Sequence, residues 1–245
     1  IVNTSIKEII FALMMLVSFF SLFLSFNLFF IKNKNISFFQ EDIYLFIYFI
    51  TLIFLFFLFF NYEYNFSVIL LSLTSSISNI GVSLDHSNQN LSFIFLILVI
   101  IGGSFFSTSS GIRFLKIYAL FKFAINDLIS HVRPKNIFLN RDLFLNISFK
   151  KVEIDKYFLS VIIFIISLFL LTSFLTISGI SLESSFKLSI LTLMNTVNSS
   201  MYEMNYFDFQ GLDFFTKYYL IIFMIIGRVE LLTLLIICKK FLFKN

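Results

Sequence analysis

Tryptophan is absent from this sequence, and proline and cysteine each occur once. The lone Cys238 excludes a disulfide within these 245 residues and any site built on paired thiolates. The two histidines, His86 and His131, stand far apart, which gives metal chemistry little support. No nucleotide-cradling glycine loop, catalytic triad or paired carboxylate occurs, so the residues that phosphoryl or acyl transfer need are missing. Charge is the most telling shortage. Asp, Glu, Lys and Arg make up 13% of the chain, against about 25% in a soluble domain. Hydrocarbon fills the gap: 59% of residues are hydrophobic and 39 are Phe. This composition reads as an integral membrane protein and not an enzyme. The excess of Phe, Ile, Asn and Lys marks an AT-rich genome, and the phenylalanines read as lipid-facing surface rather than a cofactor box.

Crossing a bilayer takes about 20 apolar residues. Runs of spanning length are Ile9–Ile31, Ile43–Phe60, Leu91–Phe106 continued by Ile112–Ile125, Tyr157–Ile177 and Tyr218–Phe243. Two runs, Phe66–Ile77 and Ser184–Met194, are too short to span and read as re-entrant segments. The order is span, re-entrant run, span, and then the same again. The expected fold is all-α, with repeated helix–pore-loop–helix units. We divide the chain into 1–36, the last helix of a preceding repeat; 37–135, a repeat whose second helix is interrupted; and 136–245, a second repeat. The chain opens at Ile1 rather than Met and runs at once into an apolar stretch, which suggests a fragment.

Each short run leads into a small polar patch: Ser78, Asn79, Ile80, Gly81 and Val82, and then Asn195, Thr196, Val197, Asn198 and Ser199. Extended backbone after a re-entrant helix can aim carbonyl oxygens at an axis, where they replace the water shell of a monovalent cation. Gly81 suits the left-handed backbone such a loop needs, and Asn198 stands at the matching place in the second patch. A third feature breaks a span at mid-depth: Gly102, Gly103, Ser104, Ser107, Thr108, Ser109, Ser110 and Gly111. It reads either as a loop that blocks and opens a path or as a small-residue packing contact between helices. Arg228 and Glu230 interrupt the last apolar run. An arginine at that depth costs about 2.5–3.5 kcal/mol on insertion scales. Residues two apart face different sides of a helix, so Glu230 cannot pair with Arg228 locally. We therefore expect Arg228 to face the bundle interior as an electrostatic barrier in contact with the interrupting loop.

Basic residues set the orientation. Nine of them fall between Arg113 and Lys156, against four acids, and Lys239, Lys240 and Lys244 follow in the tail. Residues 61–91 carry no Lys or Arg. The long loop and the C-terminus therefore read as cytoplasmic, and both short runs enter from the outer side. The basic loop either touches anionic lipid or docks a regulator.

Three motifs give the chain a resemblance to a known family. Gly102-Gly103 through Ser107-Thr108-Ser109-Ser110-Gly111-Ile112-Arg113 is similar to a GGxxGSTxGGIK loop. His131 with Pro134-Lys135-Asn136-Ile137-Phe138 is similar to an LxHPRAVF stretch, and Met224–Leu235 to an LLGRLEIFTVL ending. These belong to the TrkH subunits of bacterial Trk potassium-uptake systems, in the Trk/Ktr/HKT superfamily, and the chain resembles their C-terminal half. The resemblance implies two units of a pseudo-fourfold set around one pore in the bacterial inner membrane. It implies K+ as the transported ion with no bound cofactor, a selectivity filter, a gating loop and an arginine beneath the filter. It also implies a homodimer and a cytoplasmic TrkA-like nucleotide-binding regulator. Two units cannot encircle a pore, so the other half comes from a missing N-terminal half or a second copy. The family has glycine where Asn198, Phe106 and Ser110 stand. Two other readings stay open: a degenerate, non-conducting subunit with an assembly or regulatory role, and a Na+-permeable variant.

Overall fold

The computed structural model describes residues 5–20, 36–60, 66–82, 91–104, 107, 109–132, 151–197, 200–204 and 207–228. Its helices are α1 (Ser5–Phe19), α2 (Ile36–Phe60), α3 (Phe66–Ile77), α4 (Ser92–Ile100), α5 (Phe114–Val132), α6 (Lys151–Ile177), α7 (Leu182–Leu193) and α8 (Phe214–Arg228). Two short strands, β1 (Ile101–Gly102) and β2 (Ile112–Arg113), separate α4 from α5.

Length sorts these helices. With 25 and 27 residues, α2 and α6 reach about 37 and 40 Å, enough to cross a hydrocarbon layer of about 30 Å. With 12 residues each, α3 and α7 reach about 18 Å and cannot cross it. A single shift relates the two halves. Adding 116 carries α3 onto α7 end for end (66 to 182, 77 to 193). The same shift carries α2 onto α6 to within one residue at each end.

Several boundaries differ from the apolar runs for identifiable reasons. The short helix α7 starts at Leu182 rather than Ser184, because the Ser181 hydroxyl caps it by accepting from the Ser184 amide at 3.4 Å. The spans α2 and α6 begin one to two turns before Ile43 and Tyr157, drawing polar helix formers into their first turns. The second halves of the runs Ile9–Ile31 and Tyr218–Phe243, the segment around Pro134 and most of the basic loop lie outside the described residues.

The spanning helices show their apolar side chains outward. Only 28% of the Glu153–Ile177 stretch is buried, and Phe158, Ile162, Ile166 and Phe169 are exposed. In water that surface would be untenable; against lipid tails it is the expected face. The inward stripe of α6 is Phe164, Leu168, Leu171 and Leu175, a spacing of four, three and four residues that keeps one helix face.

The short helix α3 sits at the centre and is buried from Ser67 to Ile77 apart from Val68. Against it packs α1, through Ala12, Met15 and Phe19. Hydroxyls this deep would each cost about 1–3 kcal/mol if left unpaired. Most turn back onto their own helix. Ser72 donates to the Val68 carbonyl, Thr74 to Leu70 and Ser76 to Ser72, each at 2.9 Å. In the second half Ser189 donates to Ser185 at 2.7 Å and Thr192 to Leu188 at 2.6 Å. One hydroxyl pair crosses between helices, Thr172 Oγ1 to Ser189 Oγ at 3.1 Å, and ties α6 to α7.

Candidate functional site

The two short helices end in the same way. After α3 the Asn79 amide donates to the Ser76 carbonyl and the Ile80 amide to Ser75. After α7 the Asn195 amide donates to Thr192 and the Thr196 amide to Leu191. This is the paired-bond cap in which one residue turns left-handed to close the helix. Asn79 and Asn195 take that role, with φ of 60° and 53°. Asparagine is the side chain best suited to it after glycine.

These caps fix the correspondence between the patches, and it differs from the one read off the sequence. Counting from the helix ends, Val197 and not Asn198 stands opposite Gly81 (81 + 116 = 197). Asn198 and Ser199 lie outside the described residues. Ser78, Asn79, Ile80, Gly81 and Val82 form the first turn, and Asn195, Thr196 and Val197 the second. The two turns touch. Gly81 has φ of 78°, and a Cβ there would run into the Val197 carbonyl oxygen and press on the Thr196 methyl. Three buried oxygens around these turns, Ser75 Oγ, Asn79 Oδ1 and Thr196 Oγ1, have no hydrogen-bond partner among the described residues.

The small-residue cluster interrupts a helix, as the sequence suggests. Helix α4 stops at Ile100, the chain leaves as a loop, and it re-enters beside its point of departure. There β1 and β2 pair in parallel, Ile101 beside Ile112 and Gly102 beside Arg113. The close pairing explains two glycines: a Cβ on Gly102 would meet the Ser110 carbonyl oxygen, and Gly111 turns with φ of 101°. Gly103 is hemmed in by the Phe19 carbonyl and the Ser107 and Ser109 hydroxyls. The end of α1 anchors one side of the loop, with the Ser104 amide donating to Phe19 at 3.1 Å and the Ser109 amide to Ser18 at 3.3 Å. These bonds satisfy carbonyls that a helix end leaves open. Phe105, Phe106 and Thr108 lie outside the described residues.

Arg113 holds the loop from inside. Its Nη1 group shares two hydrogens among four acceptors, the carbonyls of Ser104 at 3.2 Å, Ser107 at 3.1 Å and Ser109 at 3.0 Å and the Ser107 hydroxyl at 3.0 Å. The sequence reading counted this residue with the cytoplasmic loop for orientation and also placed it at the end of the motif that resembles the gating loop. Its position two residues past the glycine that closes the cluster was the available signal. The side chain of Arg228, expected to contact this loop, lies outside what the structure describes. Its neighbour Gly227 lies against the end of α7, where a Cβ would strike the Leu193 carbonyl oxygen.

Ser110 joins the three features. Its carbonyl accepts from Asn79 Nδ2 at 2.8 Å, and its hydroxyl donates to the Met194 carbonyl. The interrupting loop therefore lies against both turns at once. A small cavity beside it is lined by Gly111, Lys116, Ser160, Met194 and Gly227. The buried Lys116 reaches the Ser160 hydroxyl there at 3.4 Å. Among the described residues no group of three His, Cys, Asp or Glu comes together. The ligand atoms on offer are carbonyl, hydroxyl and amide oxygens, which suit hard monovalent cations.

Sequence reasoning also missed an ion cluster at the start of α7. Lys187 pairs with Glu183 at 2.7 Å and with Glu203 at 2.5 Å, and so clips the segment after the second turn to the short helix. The hydrogen bond from Lys187, with its charge, lowers the Glu183 pKa below the ordinary glutamate range. A lowered folded-state pKa stabilises the fold fully above the unfolded pKa, and that contribution is lost as pH falls through the folded one. Melting temperature should therefore decline as pH drops from neutrality through the glutamate range, and Lys187→Gln should flatten part of that decline. Parallel curves for the two proteins would show that the clip contributes nothing.

No family model and no curated protein matches the sequence. Among solved structures, the fold is similar to that of the potassium transporter TrkH from Vibrio parahaemolyticus, with a TM-score of 0.81 and 20% identity. The match covers 96% of this chain and 52% of that one, so the chain spans about half the length of the transporter. The chain thus has a TrkH-like helical fold.

Proposed function

We propose that this chain is the membrane subunit of a potassium-uptake system, or half of one. In this reading 37–135 and 136–245 are two pore units and α3 and α7 are re-entrant pore helices. Residues 78–82 and 195–199 supply filter carbonyls, 102–111 form a gate beneath them, and Arg228 adds positive charge below. The observation that carries the reading is the meeting of three backbone segments at one place: two capped helix ends in contact through Gly81 and Val197, with an interrupted helix lying against both. Irregular backbone at membrane depth is tolerated where it is buried in protein or lines a watery path. The buried oxygens of Ser75, Asn79 and Thr196, without a partner among the described residues, favour the path. The fold it shares with a potassium transporter points to K+ as the ion. The ring closes with further units, from preceding sequence or a second copy. Homodimerisation, a cytoplasmic TrkA-like regulator bound at the basic loop, a cytoplasmic C-terminus and residence in the bacterial inner membrane complete the proposal.

One observation favours a second reading, a non-conducting or Na+-permeable subunit: the position opposite Gly81 is Val197, which cannot adopt glycine backbone freely. Rubidium uptake into liposomes holding the product of the whole reading frame separates the two. Uptake that excess K+ abolishes and excess Na+ does not supports the potassium pathway. Uptake blocked equally by both ions, or none, supports the second reading.

A further inference from the structure

The interrupting loop is tied on one side to the end of α1 and internally by Arg113. Ser110 reaches in the opposite direction. The two cap asparagines show why its bonds differ in kind. Asn195 Nδ2 donates to the Met224 carbonyl of α8 at 3.0 Å, tying the second turn to the return helix of its own half. Asn79 Nδ2 does the same in the first half, where the return helix is broken, and finds the Ser110 carbonyl at 2.8 Å. Any residue at 110 would offer that carbonyl. The hydroxyl also accepts from Asn79 Nδ2, at 3.4 Å, and it does something that has no counterpart in this pair of bonds: it crosses to the other half and donates to the carbonyl of Met194. That carbonyl closes α7 and belongs to the group a helix end leaves without an intrahelical donor. All three residues are buried, Ser110 at 8%, Asn79 at 6% and Met194 at 1% exposure.

We propose that the Ser110 hydroxyl is a latch between the halves, holding the 103–111 loop to the end of α7 so that the loop and the second turn open together. Ser110 is a positioning residue in this role. Its consequence for transport rests on the potassium-pathway reading; the latch itself does not.

Amide hydrogen exchange on the full-length protein in detergent tests the latch. Ser110→Ala removes one oxygen and adds nothing. It should speed exchange about fivefold, the factor one buried hydrogen bond supplies, at 103–111 and at 194–197 together. Ser109→Ala cuts two bonds internal to the loop, to the Gly103 amide and the Ser107 hydroxyl, so it should speed exchange at 103–111 alone. Unchanged exchange at 194–197 in Ser110→Ala, or an equal rise there in Ser109→Ala, overturns the latch. In liposomes Ser110→Ala should raise the maximal rubidium flux about fivefold while the half-saturating concentration stays fixed. A shift in half-saturation with no gain in rate would assign Ser110 to ion binding and overturn the latch. A parent protein that carries no ion overturns the potassium reading instead, and the exchange pattern then decides the latch alone.

Discussion

Replacing Arg113 with methionine should raise K+ flux through the reconstituted full-length protein by about tenfold or more. The Arg113 Nη1 group shares its two hydrogens among three loop carbonyls and one hydroxyl at 3.0–3.2 Å. A hydrogen bond to a charged group contributes about 1.5–3 kcal/mol net, and each 1.4 kcal/mol is a tenfold change in an equilibrium. Losing even one such bond from the state that blocks the path would therefore shift the loop tenfold toward opening. Methionine keeps an unbranched stem of similar reach, so packing survives while the donors go. Arg113→Lys separates charge from geometry, because a lysine offers a point charge and not a planar fork. Its flux should fall between the parent and the methionine variant. If Arg113→Met is folded and conducts like the parent, the clamp does not hold a gate.

That residue also shows where the sequence ran out. Counting basic residues to orient spans treats every Lys or Arg after an apolar run as loop, and Arg113 was counted so. The inference fails wherever a helix breaks inside the membrane, since a cation can then serve open backbone instead of leaving for water. The short helices were legible. Apolar run and small polar patch fixed α3 at Phe66–Ile77, because Asn79 and Gly81 offer the left-handed turn that ends a helix. The match between patches was less so. Reading for glycine-like residues paired Gly81 with Asn198, whereas the caps count from Asn79 and Asn195 and pair it with Val197. Contacts between distant residues, such as Lys187 with Glu203 or Ser110 with Met194, leave no periodic trace and needed the fold.

Gly81→Ala should cost the protein most of its transport, at least about tenfold in flux or a collapse of K+ over Na+ discrimination. Two penalties combine. A left-handed backbone costs a residue with a Cβ about 1–2 kcal/mol, and Gly81 has φ of 78°. The Cβ would also strike the Val197 carbonyl oxygen, so the second turn must move. Gly179 isolates the first penalty from the second. It closes α6 with φ of 88°, and nothing lies within 4 Å of the Cβ it would acquire. Gly179→Ala should therefore lower the melting temperature by about 2–4 °C per kcal/mol of strain, as expected for a chain of this size, and leave flux per folded protein unchanged. Gly81→Ala should show a similar loss of stability together with the loss of transport, because the displaced group is a backbone carbonyl proposed to face the ion. Selective flux at the parental level in folded Gly81→Ala would mean that the carbonyl of Val197 faces no ion, and the two turns would then be a packing contact.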